Sequence, residues 1–315
     1  MQQSELKDLH LPAMPPLDGP FGFVVIDKPA GLTSHACVSR MRRSYGLRRV
    51  GHGGTLDPAV TGVLPIALGP ATRLLPYLPG EKTYRGVIQL GTRSSSDDLQ
   101  GEILETLPWP ELTHQACLEA LAPFQGTIQQ HPPQVSAVHV DGERAHARAR
   151  RGESMDLPAR TITIERLDLL DWDPRSGRLR IEVHCTAGTY IRALARDLGE
   201  SLGCGGCLAT LTRTQALGFH LAQAHPLPES DANTDLPEPL SPLIALHTLP
   251  KRTLTVSETI DWRCGRRLSV GERLEGRLKD GDAVVVCNAD GSMAGMGLAE
   301  ANQQLRPKVV FDAAG

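Results

Sequence analysis

The 315-residue sequence predicts an α+β protein: a large body of mixed strands and helices followed by a small β-barrel-like module. Three observations carry that reading. Up to about residue 220, strand-like apolar runs are interspersed with segments of helical 3.6-residue spacing. From about 218 to 250 a Pro-rich, acidic stretch interrupts both patterns. Beyond it, short strand candidates split by Gly and Asp have the spacing of a compact barrel. The composition, 40% hydrophobic and 22% charged, is that of a globular chain, and the length suits about two domains.

In order along the chain, residues 1–20 read as a loose tail with four prolines and little periodicity. Phe21 to Asp27 is a buried strand and Lys28-Pro-Ala-Gly31 a turn. Thr33 or Ser34 caps a helix through about Tyr45, with Gly46 as its stop. The loop Gly51-His-Gly-Gly-Thr-Leu-Asp-Pro58 follows. Thr83 to Leu90 alternates as a strand ended by Gly91, and Leu112 to Leu121 is helical. Thr161 to Leu170 and Leu179 to His184 are strands; Tyr190 to Leu202 is an amphipathic helix. In the final module the strands are Thr253–Val256, Arg267–Val270, Ala283–Cys287, Met293–Leu298 and Lys308–Phe311. The division is therefore 1–20 tail, 21–220 body, 221–250 linker or loosely packed crossing segment, and 251–315 module.

The formal charge of −3 does not announce a nucleic-acid partner, but its distribution is uneven. Only six of the 33 basic residues are lysine: Lys7, Lys28, Lys82, Lys251, Lys279 and Lys308. Arg40, Arg42, Arg43, Arg48 and Arg49 form one run without acids, and Arg144, Arg148, Arg150 and Arg151 another. Such planar forks suit phosphate oxygens, although a solvated helix face would look the same. No apolar run approaches the ~20 residues of a membrane span. Met1 to His10 lacks a secretory pattern, and seven scattered cysteines argue against a disulfide framework. The expected location is cytoplasmic.

Two segments carry candidate chemistry. In Gly51–Pro58 the glycines permit tight curvature, and Pro58 restricts Asp57 to extended conformations. The loop is either a rigid mount for a reactive carboxylate or an ordinary turn with a capping Asp. In Gly188-Thr-Tyr-Ile-Arg192, Arg192 falls in a first helical turn, where the dipole favours an acid. That points to an anionic partner, a carboxylate or phosphate, against the plainer reading of a surface arginine. Cys204-Gly-Gly-Cys207 lacks the second pair a zinc site needs, so no metal is expected. Nor is there a P-loop.

These segments occur together in one family. From about Phe21 to Phe219 the chain resembles the TruB family of tRNA pseudouridine synthases. The resemblance rests on Lys28-Pro-Ala-Gly-Leu-Thr-Ser34, Gly51–Pro58 with Thr61-Gly-Val-Leu64, and Glu81-Lys-Thr-Tyr84 with Leu90-Gly91. It continues in Pro132-Pro with Ser136-Ala137, Gly188–Arg192, Asp197-Leu-Gly199 and Leu211-Thr-Arg213. The tail, with Val270-Gly271, Gly295-Met-Gly297 and Arg306-Pro-Lys308, resembles a PUA-type RNA-binding domain.

The resemblance implies a pseudouridine synthase fold with a mixed, mostly antiparallel sheet flanked by helices, plus the PUA-like module. It implies isomerisation of uridine at position 55 in the T loop of tRNA, with no cofactor and no required protein partner. Asp57 would be the catalytic aspartate, Tyr84 the tyrosine stacking on the target base, and Arg192 the partner of Asp57. His52, Tyr190, Leu211 and Lys28 would bind substrate or support its site. Arg144, Arg148, Arg150, Arg151 and Arg213 are candidates for the RNA backbone. Departures include Gly53 for a usual threonine, Ala187 for a lysine and Thr212 for an arginine; the last two remove positive charge near the site. Rival readings are a tRNA-folding chaperone or other RNA-binding protein, a guide-RNA-dependent pseudouridine synthase, and a nucleoside glycosidase.

Overall fold

The computed structural model describes residues 19–136, 138–140, 143–145, 148, 151–153, 155–229 and 236–311. Nearly all of the expected tail, together with Ala137, Arg150, Asp231 and Asp235, lies outside the described residues. The strands of the body are β1 (Gly22–Lys28), β2 (Val50–His52), β3 (Thr61–Leu68), β4 (Lys82–Leu90), β5 (Thr92–Ser94), β6 (Ile103–Thr106), β7 (Gly126–Gln130), β8 (His139–Val140) and β9 (Glu143–Arg144). They continue with β10 (Arg160–Asp173), β11 (Arg178–Cys185), β12 (Gly206–Ala216), β13 (Phe219–His220) and β14 (His225–Pro226). The C-terminal module holds β15 (Lys251–Thr253), β16 (Leu268–Ser269), β17 (Ala283–Cys287), β18 (Met293–Ala299) and β19 (Gln304–Val310). The α-helices with ranges among the described residues are α1 (Ser34–Ser44), α2 (His114–Leu121), α3 (Ile191–Ser201), α4 (Pro242–Ala245) and α5 (Val256–Arg263).

The large sheet runs β14-β1-β3-β12-β4-β11-β10-β7, with β2 and β13 attached to β3 and β12. Among the described residues its neighbours are antiparallel except β1–β14 and β3–β12. This is the mixed, mostly antiparallel sheet the resemblance implied. The second sheet, β15-β17-β18-β19-β16, forms the C-terminal module.

β1 is apolar throughout because both of its faces are covered. Val24 and Ile26 pack with Cys37, Val38 and Met41 of α1, whose spacing gives that helix one buried stripe. Thr33 caps α1, its side chain accepting from Ala36 N. Phe23 and Val25 face the other way, into a cluster that includes Val285, Met296, Val309 and Phe311 of the module. The module thus shares a core with the body, and the Phe21 and Phe311 rings meet edge-on at 4.9 Å. Elsewhere on the sheet, α3 lies on β4, β11 and β12 through Ile191, Leu194, Ala195 and Leu198. Its approach is close: a Cβ on Gly199 would stand 2.1 Å from Gly206 N at the start of β12. This contact fixes where the N-terminus of α3, and so Arg192, points.

Several elements depart from expectation. Thr61–Leu68 is a central strand despite Pro65, which sits opposite Gly53 at the end of β2, where its carbonyl accepts from Gly53 N. The strand expected to run through Val256 ends at Thr253, and Val256 begins α5 instead. The cause is a capping box: Thr255 accepts from Glu258 N while the Glu258 carboxylate accepts from Thr255 N. The 221–250 segment is only partly a loose crossing. Leu240 exchanges backbone hydrogen bonds with Phe23, Tyr45 donates its phenol to Pro237 O, and Ala245 and Leu246 are buried.

Candidate active site

Asp57 stands on the loop between β2 and β3, and three anchors hold that loop. Ser34 Oγ accepts from Leu56 N at 2.8 Å, so the start of α1 grips the residue before Asp57. Pro58 O accepts from Gly31 N at 2.8 Å and from Lys28 Nζ at 3.0 Å. Val60 N closes the turn onto Asp57 O at 3.1 Å. Opposite stands Arg192, in the first turn of α3. Its Nη2 lies 3.0 Å from Asp57 Oδ2, and its Nε 3.7 Å from Asp98 Oδ2. Nη1 and Nη2 also donate to Ser96 O and Val135 O, each at 2.9 Å. The arginine is buried, whereas the Asp57 side chain is 45% exposed. Of the two anions the sequence left open for Arg192, the structure supplies a carboxylate.

The pair opens on a cleft of about 840 Å³ between the loops at 57–61 and 95–101 and strand β12. Asp57, Arg192 and Leu211 line it together. Tyr84 lies in the adjoining core with Leu56 and Val60, the residue 8% exposed. Burial raises its pKa, and the facing Arg213 guanidinium opposes that rise. His52 is half-buried beside the same arginine, with Nδ1 unpartnered; burial and then Arg213 lower its pKa. Tyr190 is placed by Gln130, which hydrogen-bonds both its backbone N–H and its carbonyl, and it packs on Val138, Ala145, Met155 and Leu157 rather than in the cleft.

Three expectations need correction. Arg213 is no surface contact for an RNA backbone: it is fully buried and donates to Val63 O and Gly54 O. Lys28 is likewise fully buried, its ammonium spent on the carbonyls of Pro29, Leu32 and Pro58. It braces the Asp57 loop instead of reaching substrate. The second arginine run is not free of acids in space. Arg151 pairs with Glu143 and Glu153, and Arg148 with Glu153; the Arg144 side chain and Arg150 lie outside the described residues.

Sequence reasoning missed other features. Asp98, Ser96 and Val135 hold Arg192, but their spacing along the chain gave no sign of it. Arg42, Arg48 and Arg49 converge with Arg73 around a second cleft of about 830 Å³. Among the described residues none of the four has an ion-pair partner. Arg73 is distant in sequence, so this patch was only half legible. Cys204 and Cys207 are both buried, and burial pushes the Cys207 thiol up to about 11.

The fold is that of the pseudouridine synthases. The structure of an H/ACA RNP bound to a substrate RNA containing 2′-deoxyuridine superposes with a TM-score of 0.67, covering 95% of this chain and 91% of that one at 23% identity. A Cbf5-Nop10-Gar1 complex gives 0.64, covering 92% and 84% at 24% identity. The model of the TruB family pseudouridylate synthase N-terminal domain matches residues 42–191. The tRNA pseudouridine synthase B of Parasynechococcus marenigrum (strain WH8102) is 73% identical over 95% of this chain and 100% of its own length. That of Prochlorococcus marinus (strain MIT 9313) is 58% identical over 94% and 99%. The chain belongs to the TruB family of pseudouridine synthases. Among the described residues, no helix is long and apolar enough to cross a membrane.

Proposed function

We propose that the chain isomerises uridine to pseudouridine at position 55 in the T loop of tRNA, acting without a guide RNA or protein partner. The single observation that carries this reading is the Asp57–Arg192 pair at the wall of an open cleft. Relatives named tRNA pseudouridine synthase B, matched over essentially their whole length, support the substrate.

The reaction breaks the C1′–N1 bond, turns the uracil and joins C1′ to C5; the C5 proton leaves and N1 is protonated. The atoms balance without redox partner or energy donor. Asp57 acts as the nucleophile, at the ribose C1′ or the base C6, and Arg192, 3.0 Å away, aims it. The base must first leave its stack, at a cost of a few kcal/mol. Stacking on Tyr84 offsets part of that, at ~1–3 kcal/mol per base. Leu211 supplies an apolar wall. Tyr84 is also the candidate acceptor of the C5 proton; burial raises its pKa, so little of it is present as the phenolate that could take one near neutral pH. The cleft of Arg42, Arg48, Arg49 and Arg73 supplies the positive surface for the RNA backbone.

The test is tritium release from a T-arm hairpin labelled at uracil C5, with wild type and Asp57→Asn side by side. Release by wild type alone is expected. Release by Asp57→Asn would remove Asp57 as nucleophile. Silence from wild type despite tight binding would favour an RNA chaperone or a partner-dependent enzyme.

A further inference from the structure

Gly53 and Leu217 hold residues that their own backbones do not call for. Gly53 sits in the loop that carries Asp57, yet its φ lies outside the left-handed region, so any side chain suits its backbone. What a side chain would meet is Leu217: a Cβ at position 53 would stand 1.9 Å from Leu217 Cδ1 and 3.3 Å from its Cγ, so the leucine would have to turn out of the notch. Leu217, in contrast, has φ +56°. It and Gly218, at +79°, form the two-residue turn between the paired Ala216 and Phe219, a geometry that favours Asn or Gly in both places. A bulky residue is rare and strained there. The side chain is nevertheless buried, inserted into the notch that Gly53 leaves.

We propose that Leu217 is a positioning residue for catalysis: its side chain braces the catalytic loop through the notch at Gly53. The inference rests on the reading of Asp57 as nucleophile. The brace acts between two fixed points. On one side Gly53 N donates to Pro65 O at 2.9 Å; on the other Gly54 O accepts from Arg213 Nη2 at 3.1 Å. Arg213 and Leu217 both extend from β12 and its turn, so one hairpin grips two consecutive residues of the loop. The strained leucine is retained because its side chain stops the loop from sinking toward the turn, away from Arg192. A threonine at position 53 would do the same from the loop's own side if position 217 were glycine.

The experiment compares Leu217→Gly, Gly53→Thr and the double variant with wild type, reading Tm, kcat and KM for tritium release from the T-arm hairpin. Leu217→Gly should fold, since glycine suits the turn, and lose about tenfold in kcat with little change in KM. Gly53→Thr alone should lose more, because its Cβ meets Leu217. The double variant should recover most of the wild-type kcat, a rescue that general destabilisation would not give. Undiminished kcat in Leu217→Gly, or a double variant no better than Gly53→Thr, would overturn the proposal. Should Gly53→Thr fail to fold, Leu217→Ala decides. It keeps the strain and empties the notch, so a fall in Tm at unchanged kcat would overturn the positioning role. Absence of release by wild type would instead refute the functional reading itself.

Discussion

Replacing Lys28 by methionine should separate support of the site from contact with substrate. The ammonium is fully buried and donates to the carbonyls of Pro29 (2.8 Å), Leu32 (2.6 Å) and Pro58 (3.0 Å). Burial lowers its pKa, with nearby Cys37 and Asp57 opposing the fall. Methionine keeps the length of the stem and removes all three donors. Pro58 O retains Gly31 N, so the carbonyls of Pro29 and Leu32 bear the loss. At about 1–3 kcal/mol for each abandoned acceptor, less the relief of no longer burying an ammonium, the net destabilisation is about 2–4 kcal/mol. For a chain of this size that lowers Tm by about 3–6 °C. Pro58 O then hangs on Gly31 N alone, which holds Asp57 less firmly, so kcat falls while affinity for RNA holds. Thermal unfolding by circular dichroism and anisotropy of a labelled T-arm hairpin read the two quantities. A tenfold or greater loss of RNA affinity at unchanged Tm would refute the reasoning and return Lys28 to the substrate (the threshold being about 1.4 kcal/mol).

Charge reversal of Arg48 and Arg49 should weaken hairpin binding and reduce the slope of log K against log salt by about two. The same change at Arg151, which Glu143 and Glu153 already neutralise, should do less; equal losses in a salt titration would contradict the distinction. Tyr45 is pushed up to about 12 by burial, above the usual value for a tyrosine phenol. A phenol whose folded pKa is raised contributes stability that is complete below the unfolded pKa and lost as pH rises through the folded one. Tyr45→Phe should therefore show a shallower decline of Tm across that alkaline window, and an identical decline would show that Tyr45 does not carry it. Asp98→Asn should retain RNA binding and slow the single-turnover rate; a wild-type rate would show that its charge is not needed.

What the sequence revealed depended on whether the cause was local. The β1 strand and α1 were legible because an apolar run and a Thr cap are written in consecutive residues. The capping box Thr255–Glu258 was equally local, yet it was passed over because short strands dominated the module. β3 was hidden by Pro65, whose tolerance depends on where a neighbouring strand happens to end. Asp57 and Arg192 were singled out by motif; the misfit of Arg192 with the helix dipole pointed the same way, whereas the loop of Asp57 read equally well as an ordinary turn. Their supports were not, since Asp98, Val135 and Leu217 meet the site only through the path of the chain. The misassigned Lys28 and Arg213 share one cause: sequence gives charge but not depth, and both lie at zero exposure.

Depth also bears on the covalent step proposed for Asp57 and, if that step occurs, on the charge it leaves behind. Arg192 is the buried member and Asp57 the exposed one, so the loop presents the carboxylate while the helix retains the charge that orients it. Forming a bond to substrate removes the negative charge of Asp57. A buried guanidinium left without a counter-charge would be costly, by about 3–5 kcal/mol when one member of a buried pair is lost. Arg192 avoids that position. Asp98 stands 3.7 Å away, and the carbonyls of Ser96 and Val135 accept its remaining donors. The second carboxylate therefore keeps the cation compensated at the stage where the first is esterified, and a single arginine can serve both the free and the covalent state without moving.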